Sequence, residues 1–269
     1  MKQRSKYAMS FEFGYQLGAL LIATVVIHGF YTLLVRPRAY AELEQQAVAR
    51  SEQEGYVARR SVYIMVKDYE QELCFVMMVW AFAIMGYKAL RTARERSLLQ
   101  QDLLQTVEGM RVLPEDTREL GRQLELLESA QQFTLVPRAL QAALHRFAAS
   151  PNIQDVANAS HTVCEAEGER LESELSMIRY IAWAIPSVGF IGTVRGIGDA
   201  LGQADRAIEG DISGVTQSLG VAFNSTLIAL LISVVLMFLM HQLQLMQERL
   251  VLDAETYCDE HLIRHLYVK

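Results

Sequence analysis

Nowhere in this chain does an aspartate or glutamate stand near the middle of a long apolar run. An ion path through a membrane normally needs an ionisable relay, so the absence excludes a self-contained one. Cysteine is scarce: Cys74, Cys164 and Cys258 show no CxxC or other metal-ligand spacing, which excludes a zinc site and a disulfide framework. No segment alternates apolar and polar residues as a strand would, and no internal repeat is evident, which excludes sheet architectures and solenoids. The net charge is −6 and no basic patch with interleaved aromatics occurs, so a nucleic-acid partner is excluded as well. Proline numbers only five in 269 residues, while 51% of the chain is hydrophobic. That is too apolar for an ordinary soluble domain unless the apolar residues are gathered into blocks.

They are gathered into four. Phe13–Val35 runs for about 23 residues without a charge, enough to span a hydrocarbon core of roughly 30 Å. Leu73–Leu90 carries a single charge, Lys88, near its end, where a long side chain can snorkel. Ile178–Leu201 is the third block. The fourth, Ile212–Gln247, is uncharged for about 36 residues, or about 54 Å of helix, so its end projects beyond any bilayer. The first block is too long for a signal-peptide core and has no small-x-small cleavage site, so it reads as a retained span.

Flanking basic residues set the expected orientation. Lys2, Arg4 and Lys6 precede the first span, and Lys88, Arg91, Arg94 and Arg96 follow the second, so both flanks read as inside. The acidic loop GQADRAIEGDIS suits the outside. Arg36 and Arg38 disagree, but the six basic residues of Arg36–Gln71 are balanced by acids. The expected layout is a cytoplasmic N-terminus at 1–12, spans at 13–35, 72–90, 178–201 and 213–240, periplasmic segments at 36–71 and 202–212, a cytoplasmic region at 91–177, and a cytoplasmic C-terminal helix at 241–269. N- and C-termini are both inside.

Segment 36–71 has Gly55 as its one turn signal and predicts either a short helical hairpin or outward extensions of the spans. Within 91–177, Leu99, Leu103, Val107 and Met110 keep helical spacing, as do Leu120, Leu124 and Leu127. Leu113-Pro114, Val136-Pro137 and Ser150-Pro151 mark helix starts with proline near the first turn. A helix from Asn152 carries Ile153, Val156, Val163, Leu171 and Leu175 and runs into the third span. The fold class is therefore an all-α membrane protein, four transmembrane helices with a helical cytoplasmic domain between spans two and three.

Chemistry concentrates in spans three and four. Ala182–Leu201, AWAIPSVGFIGTVRGIGDAL, holds a proline, four glycines, a threonine and an arginine. An anchor helix has no use for these, whereas glycine permits close helix approach. Pro186 and Gly192 stand on this span, where Gly189, Thr193 and Gly196 share one face at i, i+4 and i+7. On span four, Ser218, Ala222, Thr226, Ala229 and Ser233 form a second small-and-polar stripe. Two such stripes make a narrow, hydroxyl-bearing lining in which Thr193, Thr226 and Ser233 can hold a water or pass a proton-carrying carboxylate. The plainer reading is helix packing, with each threonine bonded to its own i−4 carbonyl. Asn224 and Ser225 are candidates for helix–helix contact, and His28 is assigned to packing rather than proton relay. Arg195 either snorkels or pairs with Asp199 four residues on; its functional reading is an outer-vestibule charge.

With these residues in view, a family resemblance is apparent. Glu165–Leu201, EAEGERLESELSMIRYIAWAIPSVGFIGTVRGIGDAL, resembles the part of the MotA/TolQ/ExbB proton-channel family in which an acidic helix leads into a Pro-x-x-Gly-x-x-Gly-Thr-Val-x-Gly-Ile span. Gly220–Leu231, GVAFNSTLIALL, is similar to the fourth span of MotA-type members, with Thr226 at the pore threonine. The resemblance covers about Arg91–Gln247 and is closest at the GTVRGI motif. The chain departs from TolQ and ExbB at Val221, where those members carry glutamate, at Val235, where they carry proline, and at Arg195, often tryptophan.

The resemblance implies an inner-membrane homopentamer around a single-span MotB/TolR/ExbD-like dimer whose membrane aspartate takes up a proton and drives rotation or force. It implies no cofactor, no enzyme activity, and H+ as the transported ion with Na+ as the alternative. Two other classes stay open on the residues alone. One is a non-conducting membrane scaffold or sensor that recruits partners through its inner helices. The other, a small-solute transporter, is disfavoured by the absence of a central charge and an inverted repeat. The basic cluster Arg91, Arg94 and Arg96 and the acidic cluster Glu165, Glu167, Glu169, Glu172 and Glu174 read as solvated helix faces or ordinary salt bridges, or alternatively as subunit pairing or a torque surface.

Overall fold

The computed structural model describes residues 2–52, 61–104, 111–127, 131 and 133–268. Gly55, Val107 and Met110 lie outside the described residues, as do the side chains of Lys2, Arg4 and Lys6. The described chain is helical: α1 (Lys2–Phe30), a π-helical turn (Tyr31–Val35), α2 (Arg36–Glu52), α3 (Val62–Val66), α4 (Tyr69–Leu98), α5 (Thr117–Glu125), α6 (Leu135–Ala149), α7 (Ile153–Glu174), α8 (Ser176–Leu201), α9 (Ala204–Ile208) and α10 (Ser213–His261). No strand occurs among the described residues, only the isolated bridge Val112–Leu266. Four stretches are long and apolar enough to cross a membrane: Glu12–Ala49, Tyr69–Leu98, Ile153–Leu201 and Ser213–His265. The chain divides into two compact units, Met1–Met85 with Met177–Met240, and Gly86–Ser176 with His241–Lys269.

In the first unit α2 extends α1 rather than folding back on it. The π turn between them has a local cause. Pro37 has no N–H to give the Leu33 carbonyl, and its ring crowds that carbonyl. The backbone widens by one residue and the Arg36 N–H bonds the Tyr31 carbonyl instead. Helix α1 lies along α4, where Tyr15 Oη donates to the Ala83 carbonyl at 3.1 Å and Trp80 Nε1 to the Gln16 carbonyl at 2.9 Å. Helix α4 meets α8 and α10, with Cys74 Sγ against the Ile185 carbonyl and Gln71 against Ser225. Between α8 and α10 the short α9 is followed by Gly210, whose φ of 100° is a left-handed turn that glycine adopts without strain.

The second unit has its own core. Leu120 and Leu124 of α5, Leu140, Leu144 and Phe147 of α6, Val156 and Cys164 of α7, and Tyr257, Cys258 and Leu262 of α10 pack together. The helix starts fall close to the prolines. Pro137 sits in the first turn of α6, while Pro114 and Pro151 precede the caps Asp116 and Asn152. Asn152 Oδ1 accepts from the Gln154 N–H at 3.0 Å.

The expected basic and acidic clusters do not pair with one another. Arg91 meets Glu95 on its own helix and Arg96 meets Asp253. Buried Glu167 is held by Arg138 and Arg170, both at 2.9 Å, and Glu174 by Lys88 at 2.8 Å. These are structural ion pairs tying α4, α6 and α7, while Glu165, Glu169 and Glu172 are exposed.

Candidate functional site

The site grows from one proline. Pro186 cannot donate to the Ala182 carbonyl one turn back in α8, so that carbonyl has no helical partner. Ser233 of α10 supplies one, its Oγ donating at 3.0 Å. Both residues are buried. Ser233 is thereby committed to joining α8 and α10, not to a free lining.

Glycines then bring the two helices into near-backbone contact. A Cβ at Gly189 would lie 2.6 Å from Ala229 Cβ, one at Gly192 2.5 Å from Ser225 Cβ, and one at Gly196 2.7 Å from the Ala222 backbone nitrogen. The two stripes face each other as expected, but as a closed seam with no room for water between them. Ala222, Ser225 and Ala229 are buried in it.

The seam has two edges. Gly192 and Ser225 face α4, and Glu70 Cγ lies 3.3 Å from the Cβ position of Gly192. Thr193 and Thr226, each one residue on and so about 100° further round its helix, form the other edge and are half-buried. Their hydroxyls hydrogen-bond to each other. Thr193 Oγ1 is also 3.2 Å from the Gly189 and Ala222 carbonyls, and Thr226 Oγ1 is 3.1 Å from the Gly189 carbonyl. Two hydroxyl protons serve one internal bond and one carbonyl. The remaining lone pairs can accept from an incoming acid O–H, and rotating the outer hydroxyl off its carbonyl lets it donate to a carboxylate. No carboxylate is among the pair's hydrogen-bond partners.

The other sequence candidates scatter around this core. Ser218 Oγ accepts from Gln203 Nε2 at 3.0 Å. Asn224 is half-buried and makes none of the seam's hydrogen bonds, and Pro186 is half-buried. Asp199 is exposed and does not hold Arg195. The partner of Arg195 is Glu70 on α4, with Nε to Oε1 at 2.7 Å and a second prong from Nη2 to Oε2 at 2.9 Å.

Glu70 belongs to a trio the sequence reading missed. Gln71, fully buried, donates from Nε2 to Ser225 Oγ at 3.2 Å and to the Met65 carbonyl at 3.1 Å. Glu72 receives His28 Nδ1 at 2.7 Å and pairs with Arg36, whose guanidinium lies over the Tyr69 ring. Arg38 donates to Tyr63 Oη at 2.6 Å. The two arginines that disagreed with the charge-based orientation therefore both have local partners. The available signal was a pair of acids opening an apolar helix, where the helix dipole favours them.

Residues 131–256 match the model of the MotA/TolQ/ExbB proton channel family. Over this segment the chain is similar to that family. The match takes in the whole seam and both threonines, beginning later than the resemblance near residue 91 and ending beyond residue 247. Helices α1 and α4, with the Glu70–Glu72 turn, lie outside it. No curated protein and no solved structure matches the chain. This similarity and four apolar helices together describe a multi-pass membrane protein.

Proposed function

We propose that this chain is the proton-channel subunit of an ion-driven machine in a bacterial inner membrane, and that Thr193 and Thr226 form its side of the ion path. The carrying observation is the hydroxyl pair at the open edge of a sealed α8–α10 seam, with carbonyl partners and no carboxylate. In this reading the titrating group is an aspartate on the single span of a MotB/TolR/ExbD-like dimer. In its charged form that carboxylate accepts a hydrogen bond from the threonine pair. Once protonated it donates its O–H to the same oxygens. The pair thus offers a polar contact to both forms at a membrane depth where an isolated charge is costly.

Five copies surround the dimer, with N- and C-termini inside, and proton motive force becomes rotation or force on the partner. The exposed faces of α8 (Trp183, Phe190, Val194) and α10 (Phe223, Val234, Phe238) provide surface for lipid and neighbouring copies. Hydroxyls and carbonyls with no further polar ligand favour H+ over Na+.

Co-expression with a single-span partner bearing a membrane aspartate, followed by proton flux into vesicles, tests the reading. Thr193→Ala and Thr226→Ala should each reduce flux at unchanged complex yield. Unchanged flux in both would remove the path assignment, and a monomer in detergent would contradict the ring. A wild-type complex that assembles but passes no protons would favour the scaffold reading.

A further inference from the structure

Behind the seam, the first turn of α4 makes two contacts that act on α8 and α10 together. The Glu70 carboxylate holds Arg195 of α8 by two parallel hydrogen bonds, the strongest geometry available to that pair of side chains. One residue on, Gln71 reaches Ser225 of α10 and is anchored from behind by the Met65 carbonyl. Ser225 in turn donates to the Val221 carbonyl at 2.9 Å, so its oxygen is fixed as Gln71's acceptor. Arg195 lies two residues from Thr193, and Ser225 lies next to Thr226. We propose that Glu70 and Gln71 are positioning residues for the ion path: a clamp on α4 that sets the rotation of α8 against α10 so that the two threonine hydroxyls meet.

Within the seam the directional contact apart from the threonine pair is the Ser233 hydrogen bond to the Ala182 carbonyl, seven residues along α10 from Thr226, while the glycine and alanine contacts are non-directional. A two-pronged ion pair and a side chain buried on all sides are directional. They grip each helix within two residues of its threonine. Glu70 and Gln71 lie outside the family-matched segment, and their partners Arg195 and Ser225 lie within it. The proposal rests on the reading of Thr193 and Thr226 as the path.

The test places cysteines at both threonine positions (Thr193→Cys with Thr226→Cys) and measures oxidative cross-linking in membranes. The native cysteines are buried, and each single-cysteine variant is the control. In this background Glu70→Arg, Arg195→Glu and Gln71→Ala should each lower the cross-linking rate about tenfold, the scale of a lost charged or buried hydrogen bond. The double reversal Glu70→Arg with Arg195→Glu should restore it. In the threonine-containing chain with its partner, proton flux should follow the same order of loss and recovery. Cross-linking unchanged by all three single substitutions would overturn the clamp. So would a loss in the single reversals that the double reversal does not repair at equal protein yield. Because cross-linking needs no conduction, it still reads the clamp if the wild-type complex passes no protons, and only the proposed function then fails.

Discussion

At Gly192 the place of a side chain is taken by Ser225, so the residue's worth lies in what it lacks. Gly192→Ala must push α8 and α10 apart, and overpacking of this kind costs about 1–3 kcal/mol. Gly198, six residues on, has open space where its Cβ would be. Gly198→Ala should be neutral or up to about 1 kcal/mol more stable. Thermal melting of the purified protein in detergent separates them, and equal effects would contradict the close seam.

Pro186 and Ser233 make a second residue-scale pair. Ser233→Ala leaves the Ala182 carbonyl without a donor and should cost about 1 kcal/mol. In a Pro186→Ala background residue 186 has an N–H for that carbonyl, and the same substitution should cost little. Additive losses in the double variant would contradict the link.

Among the elements, the core of the second unit can be probed through its thiols. Cys164 of α7 and Cys258 of α10 are buried in the packing of α6, α7 and α10. Both should resist a charged maleimide in the native protein and label fully on denaturation; fast native labelling would contradict that packing.

Elements were also where the sequence was most legible. Long apolar blocks mark the four spans, and 3.6-residue spacing marks the helices and puts the two stripes on facing sides. Pairings between distant elements were not legible. Glu70 lies 125 residues from Arg195 in the chain and Gln71 lies 154 from Ser225. Helical periodicity reports only partners three or four residues away, so it offers Arg195 either Asp199 or no partner but solvent. The Ser233 hydroxyl looks like lining for a similar reason: that Pro186 frees a carbonyl is local knowledge, but that Ser233 lies opposite it depends on the packing of two helices.

For the whole molecule, the account turns on a division of labour. In the proposed function this chain supplies an acceptor-rich edge and a partner supplies the titrating carboxylate. The most direct test is proton flux through the complex with a single-span, aspartate-bearing partner, comparing wild type with Thr193→Val and Thr226→Val. Valine keeps the shape of threonine and removes only the hydroxyl, so assembly should persist while flux falls about tenfold or more in each variant, the scale of one lost hydrogen bond to a charged group. Wild-type flux in both valine variants, at equal complex yield, would contradict the central claim that this hydroxyl pair carries the path.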